Sequence, residues 1–313
     1  MACDFLKTPF LKSGGVFSFL KCSLKGGQMI RTIISILVSV VTASMLYASQ
    51  STITEADGYS CMGYDKSRKQ TEEEALANAK RKAVEYATTY IESETRVKDF
   101  QLVKDIISAY ANAAVKIIQE VEKGWYKDQS TGDCYRIRIK AEVIPDESVM
   151  KRVSKDKNIM DDPSAPLNVQ IWTDRKEFRQ GEKIKIYLKG NKPFYARVIY
   201  QDTGRNMVQL LPNPYRTNTY FNGGVVYEIP SGEDRFELEV SPPFGEEQIM
   251  VYAGTSRLGD ISLESAGGLY RIRINTEEIE HLTRGVTIKA KEEGKGASAS
   301  EFFEDKLMIR TRK

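Results

Sequence analysis

The pentapeptide YRIRI occurs twice in this chain, at Tyr135–Ile139 and at Tyr270–Ile274. Each copy alternates large apolar and basic residues, the pattern of a strand with one face in a core and the other in water. The flanks decide what the repetition means. A duplicated domain would repeat them, and a nucleic-acid stripe would sit in a basic surround. The first copy follows Cys134 and the polar turn Asp128–Asp133, and continues as Lys140-Ala141-Glu142-Val143. The second follows Gly267-Gly268-Leu269 and runs into the helix-like Asn275-Thr276-Glu277-Glu278-Ile279. The flanks do not match, so the copies mark strands of two different modules. In each, Tyr and Ile face a core and Arg faces water. In the first, Arg136 and Arg138 fall on the sheet face turned away from the helices.

Upstream of the first copy, residues 71–92 carry Leu76, Ala79, Ala83, Val84, Ala87, Tyr90 and Ile91 at helical spacing. Thr71 with Glu74 makes a capping-box pattern, and the alanines predict close packing onto a sheet. Residues 100–111 read as a second helix, and Gly58–Tyr64 as a strand. Val115–Val121 fits strand or helix by spacing alone. Residues 51–145 thus read as a small α/β domain of strands and helices, which ends in a β-hairpin if Val115–Val121 is a strand. Residues 146–166 are polar, lack apolar periodicity and end in two prolines, which reads as a linker with a short helix near Glu147–Val153.

From Leu167 the pattern changes to short apolar runs at 167–173, 183–189, 194–201, 206–211, 225–229, 234–240, 247–254 and 269–274, separated by Gly, Asn, Asp and Pro. That spacing predicts an all-β, immunoglobulin-like sandwich over 167–275. An extension, 276–313, follows. It holds a short helix near Glu277–Thr283, a strand at Val286–Lys291, a Gly/Ser/Ala-rich loop and a last element at Phe302–Ile309. The fold class is α+β.

The amino-terminal end has the layout of a secretory signal. Arg31 precedes the apolar run Thr32–Leu46, and small residues surround Ala48. The run is shorter than a spanning helix needs, so no stable membrane span is expected after cleavage. The signal is assigned to 29–48, with residues 1–28 as an upstream extension before a natural start at Met29. Residues 1–48 hold five basic residues and one acid, which leaves 41 Lys and Arg against 42 Asp and Glu, a net charge of −1. The body has no field to gather a polyanion, and nucleic acid is not an expected partner. Two cysteines remain there, Cys61 and Cys134. In an exported protein they can pair as a disulfide or stay as buried thiols.

Catalytic patterns are missing. His281 is the one histidine and lies in the charged run Glu277–Arg284 with no evident partner. There is no Gly-x-Ser-x-Gly elbow, no Cys/His set at zinc spacing, and Gly294–Ser298 lacks the phosphate-loop spacing. Many Asp and Glu residues are present, but nothing singles out a glycosidase pair. No cofactor or metal is expected. The loop Pro212–Gly224 is more telling, because it carries aromatic rings among polar residues. Asn213, Tyr215, Arg216, Asn218, Tyr220 and Phe221 are its candidate partner-binding residues. The competing reading folds those rings back over the sandwich.

Two resemblances follow from these residues. Residues 57–144, with ALANAKRKAVEYA, SETRVKDFQLVKD and CYRIRIKAEV, resemble the N-terminal domain of the flagellar assembly protein T family. That resemblance implies a strand over Val115–Tyr126. Residues 167–255 resemble the bacterial family called domain of unknown function 4384. The match lies in Phe178 with Gly181-Glu182, Phe194-Tyr195, Leu211-Pro212-Asn213, Gly223-Gly224, Ile229-Pro230 and Pro242-Pro243-Phe244-Gly245. Neither resemblance implies an enzyme. The expectation is a non-enzymatic envelope protein at the periplasm or the periplasmic face of the outer membrane. It would dock on other envelope proteins, with glycan binding through the 212–224 loop as the alternative.

Overall fold

The computed structural model describes residues 49–95, 100–154, 161–266, 269–284 and 299–313. The upstream extension and signal segment expected over residues 1–48, residues 155–160 of the expected linker, and the strand and loop expected within 286–298 lie outside the described residues.

The first module opens with β1 (Ser49–Cys61), followed by helices α1 (Arg68–Glu94) and α2 (Phe100–Ala111), then the hairpin β2 (Ala114–Asp128) and β3 (Gly132–Ile144). β3 pairs antiparallel with both β1 and β2. α1 begins a turn earlier than its apolar period suggested. Ser67 is the N-cap and Gln70 closes the capping box. Thr71 instead sinks into the core and bonds the Ser67 carbonyl, while Glu74 pairs with Lys66. The helix is thus capped one frame earlier, at a serine that stays in water. Ala75, Ala79, Ala83 and Ala87 form one buried stripe along α1. Small side chains let the helix lie directly on β1. At Gly58 a Cβ would stand 2.2 Å from the Ala75 carbonyl oxygen and 2.4 Å from the Ala79 nitrogen. Ile137, Ile139, Ala141 and Val143 of β3, with Ile91, Ile106 and Tyr110, complete this core. Helix α3 (Glu147–Ser154) adds Met150 and Val153 to it, so the connecting segment packs onto the first module.

The second module contains β4 (Val169–Thr173), β5 (Glu177–Arg179), β6 (Ile186–Gly190), β7 (Phe194–Gln201), β8 (Met207–Leu211), β9 (Tyr220–Phe221), β10 (Tyr227–Ile229) and β11 (Glu246–Gly254). They are followed by β12 (Leu263–Ala266), β13 (Leu269–Ile272), α4 (Thr276–Thr283) and β14 (Ala299–Arg312). A small sheet, β10-β6-β4, packs face to face on the large one. Leu167, Val169, Ile186 and Leu188 meet Phe194, Val198, Ile249 and Val251 between them. The run expected as a strand over 234–240 bonds residues 181–184 through Leu238 and Val240, but forms only an isolated bridge at Glu239.

The two modules share one sheet. Its order is β12-β13-β8-β7-β11-β14-β1-β3-β2. β14 pairs with β1 from Ser49↔Glu304 to Thr54↔Ala299, and with β11 from Glu246↔Arg310 to Gly254↔Phe302. The last strand of the chain is therefore the seam. A further core on the face under α4 draws Ile53 from the first module and Ile199, Met250, Tyr252, Ile272 and Ile279 from the second around Phe302. The YRIRI copies stand apart in this sheet, one wholly in β3 and one starting within β13 and running past its end at Ile272.

Candidate functional site

The 212–224 loop divides into residues that build it and residues it presents. Asn213 is buried. Its Nδ2 donates to the Leu210 carbonyl at 2.7 Å, and its Oδ1 accepts the Tyr215 and Arg216 amides at 2.8 Å each. It is a turn organiser. Arg216 donates to Asp234 at 3.0 Å and lies over the Phe221 ring. Phe221 is wholly buried and stacks on Phe194 with ring centres 5.2 Å apart. Asn218 accepts the Tyr220 amide at 3.0 Å and remains exposed. Gly223 is required by contact, because a Cβ there would meet the Lys192 Cα at 2.5 Å.

The presented residues are Tyr215, 52% exposed, and Tyr220, 44% exposed, with Val225 and Val226 exposed beyond them. Tyr215 rests against Phe236, and Tyr220 meets Tyr195 edge-on at 5.3 Å, with Arg257 above Tyr195. The rings are held from below and open above. Spacing could not separate Tyr220 from Phe221. The two-residue strand β9 does, by sending consecutive side chains to opposite faces.

Buried charge lies at the seam. Glu301 on β14 accepts Lys192 at 2.9 Å and also the Leu167 amide. Arg284, just after α4, bonds Glu142 on β3 at 2.6 Å and Glu304 on β14 at 2.9 Å, with its guanidinium over Phe302. Ser51 donates to Glu142 as well. Tyr90 of α1 bonds Thr255, and burial, with Glu301 and Glu94 adding to it, pushes its hydroxyl up to about 12. Arg197 is pushed down to about 10 by burial and donates to the Gly259 carbonyl and to Thr283. Arg284 with Glu142, and Tyr90 with Thr255, join the two modules, while Arg197 ties β7 to the Gly259 turn and the end of α4 within the second. Among the described residues, no set of three or more His, Cys, Asp or Glu is placed to hold a metal ion. Among them, too, no helix is long and apolar enough to cross a membrane.

Lys140 is nearly fully buried on β3, and burial pulls its amine down to about 8 while Glu55 partly opposes the shift. Below pH 8 the protonated amine carries its full burial penalty. Between pH 8 and its ordinary value the unfolded chain binds the extra proton, so stability rises with pH over that window. Lys140→Met is expected to raise the melting temperature at pH 7 and to flatten the rise between pH 7 and 9.5. Thermal melts at the two pH values check this; a lower melting temperature at pH 7 would count against it.

Cys61 and Cys134 are directly opposite on β1 and β3 and are joined by a disulfide. The bond spans 73 residues, so reducing it is expected to lower stability by about 4 kcal/mol through the freed unfolded chain. Urea melts with and without reductant measure the difference, and a shift under about 1 kcal/mol would contradict it.

Residues 177–257 match the family model described as Domain of unknown function (DUF4384). The match runs from β5 to just beyond β11 and includes the whole 212–224 loop. It supports the resemblance read for the C-terminal module. No curated protein matches the chain.

Proposed function

We propose that this is a non-enzymatic exported protein of the cell envelope, an accessory or assembly factor that docks through its two modules onto a periplasmic or outer-membrane complex. The observation that carries the reading is the Cys61–Cys134 bond, since such bonds persist in oxidising compartments. The basic and apolar pattern at 29–48 supports export. The resemblance of residues 57–144 to the flagellar assembly protein T N-terminal domain supports an assembly role. Tyr215 and Tyr220, with Val225 and Val226 exposed farther along the chain, offer apolar groups for docking on a fixed scaffold.

The test is cell fractionation joined to affinity capture from envelope extracts. The chain is expected in the periplasmic or outer-membrane fraction. An envelope protein should co-purify with it and be lost when Tyr215 and Tyr220 are both changed to Ala. Each of those substitutions removes one exposed ring contact, so the melting temperature should fall by less than about 4 °C. Recovery only from the cytoplasm, or capture indifferent to the double substitution, would end this reading.

A second reading rests on the same rings. Two half-exposed tyrosines around the exposed amide of Asn218 suit a sugar ring stacked on an aromatic face. A glycan array separates the two, since neutral glycan binding that depends on Tyr215 and Tyr220 belongs only to this one.

A further inference from the structure

The outward face of β1, β3 and β2, at the disulfide end, carries a second arrangement that neither reading uses. Three cross-strand rows lie there: Cys61–Cys134–Tyr126, then Tyr59–Arg136–Gly124, then Asp57–Arg138–Glu122. Tyr59 is 60% exposed and Tyr126 is 42% exposed, and both stand on strands rather than loops. Arg136 is exposed between them, with no ion-pair or hydrogen-bond partner among the described residues. Its neighbour Arg138 is engaged by Glu122 at 4.0 Å.

Gly124 is the telling residue. A Cβ built on it meets nothing within 4 Å, so packing does not demand a glycine. Glycine weakens a strand interior, and one that the fold does not need marks a place where something else approaches the backbone. Here it leaves open space opposite Arg136 in the pairing of β2 with β3.

We propose that this face binds an acidic polysaccharide. A uronic-acid carboxylate pairs with Arg136 over the open space at Gly124, and Tyr59 and Tyr126 stack on the flanking sugar rings. The planar guanidinium suits a carboxylate, and aromatic faces suit the C–H faces of sugars. With two strand spacings and one row between them, the two tyrosine Cα atoms stand about 12 Å apart, a span for a short oligosaccharide. The platform is preorganised. The disulfide ties the row that holds Tyr126 to β1 two residues beyond Tyr59, Asn78 of α1 donates to the Tyr59 carbonyl at 3.0 Å, and Trp125 packs on Tyr135 on the reverse face. An extended peptide is a poorer fit, because it could add a ladder only at the outer edge of β2, beside this face and not across it. A nucleic acid is poorer still, since its affinity comes from neutralising many phosphates, whereas sugars stacked on the two tyrosines need Arg136 for a single carboxylate.

The experiment is calorimetric titration of the folded protein with an alginate hexasaccharide, and with cellohexaose and hexaglutamate in parallel. Alginate is expected to bind at least about tenfold more tightly than either control. Arg136→Gln should weaken it by at least about tenfold. Gly124→Val should do the same, because it fills that space, while leaving the melting temperature unchanged or higher. Should Gly124→Val fail to fold, Tyr59→Ala and Tyr126→Ala at exposed positions carry the same expectation. No alginate binding, equal binding of hexaglutamate, or Gly124→Val binding like wild type would each overturn the proposal. It stands or falls apart from the docking reading, because Tyr215→Ala and Tyr220→Ala should leave alginate affinity unchanged.

Discussion

A chain ended at Ser298 is expected to show no cooperative thermal transition. That truncation removes β14, which lies between β1 and β11 and completes the hydrogen-bond ladders of both. Phe302, Phe303 and Ile309 are nearly fully buried and serve two different cores. Burying three such side chains is worth roughly 5–9 kcal/mol, comparable to the whole stability of an ordinary domain. The loss also strands Lys192 in a buried place without Glu301, and Arg284 without Glu304. Calorimetry of the truncated chain provides the measurement. A synthetic peptide spanning Ala299–Arg312 should restore a transition when added in excess. A truncated chain that melts cooperatively near the wild-type temperature would show that the modules fold separately.

Gly58→Val is expected to cost at least about 3 kcal/mol, or a fall of roughly 6–12 °C in melting temperature. The added carbons meet helix backbone rather than the end of a flexible side chain, so α1 itself must lift from β1. Lifting it opens the stripe of Ala75, Ala79, Ala83 and Ala87, whose small size leaves nothing to fill the gap. The same substitution at Gly124, where space is open, is expected to be harmless to the fold. A pair of thermal melts compares them. Equal effects would mean that strand propensity, rather than the helix contact, governs Gly58.

The local elements were legible because their signals are local. The alanine spacing announced α1 and its close approach, and the alternation around YRIRI announced β3. The order of the strands was not, because hydrogen-bond partners lie far apart in sequence. Nothing within Phe302–Ile309 says that its neighbours are Ser49–Thr54 on one side and Glu246–Gly254 on the other. The same limit hid the seam charges. Alternation turns Lys140 and Glu142 to the face away from the helices, which reads as solvent. Arg284, 142 residues away from Glu142, lies against that face and makes it an interior.

The loop was legible as a ring-bearing segment, but its division was not. Asn213 and Arg216 look like binding groups in sequence, and they spend their polar atoms on the turn and on Asp234. Tyr59, Arg136 and Tyr126 could have been found earlier. Once residues 115–126 read as a strand, an interior Gly124 beside aromatic neighbours was the available signal.

The position of β14 also sets a schedule. A ribosome makes β1 first and β14 last, and β1 must wait for it along the Ser49–Thr54 edge. Any length of chain that stops short of Ala299 lacks the strand between β1 and β11, so the joined sheet forms only once β14 has been made. Until then β1 and β11 each keep an unpaired edge where β14 will sit.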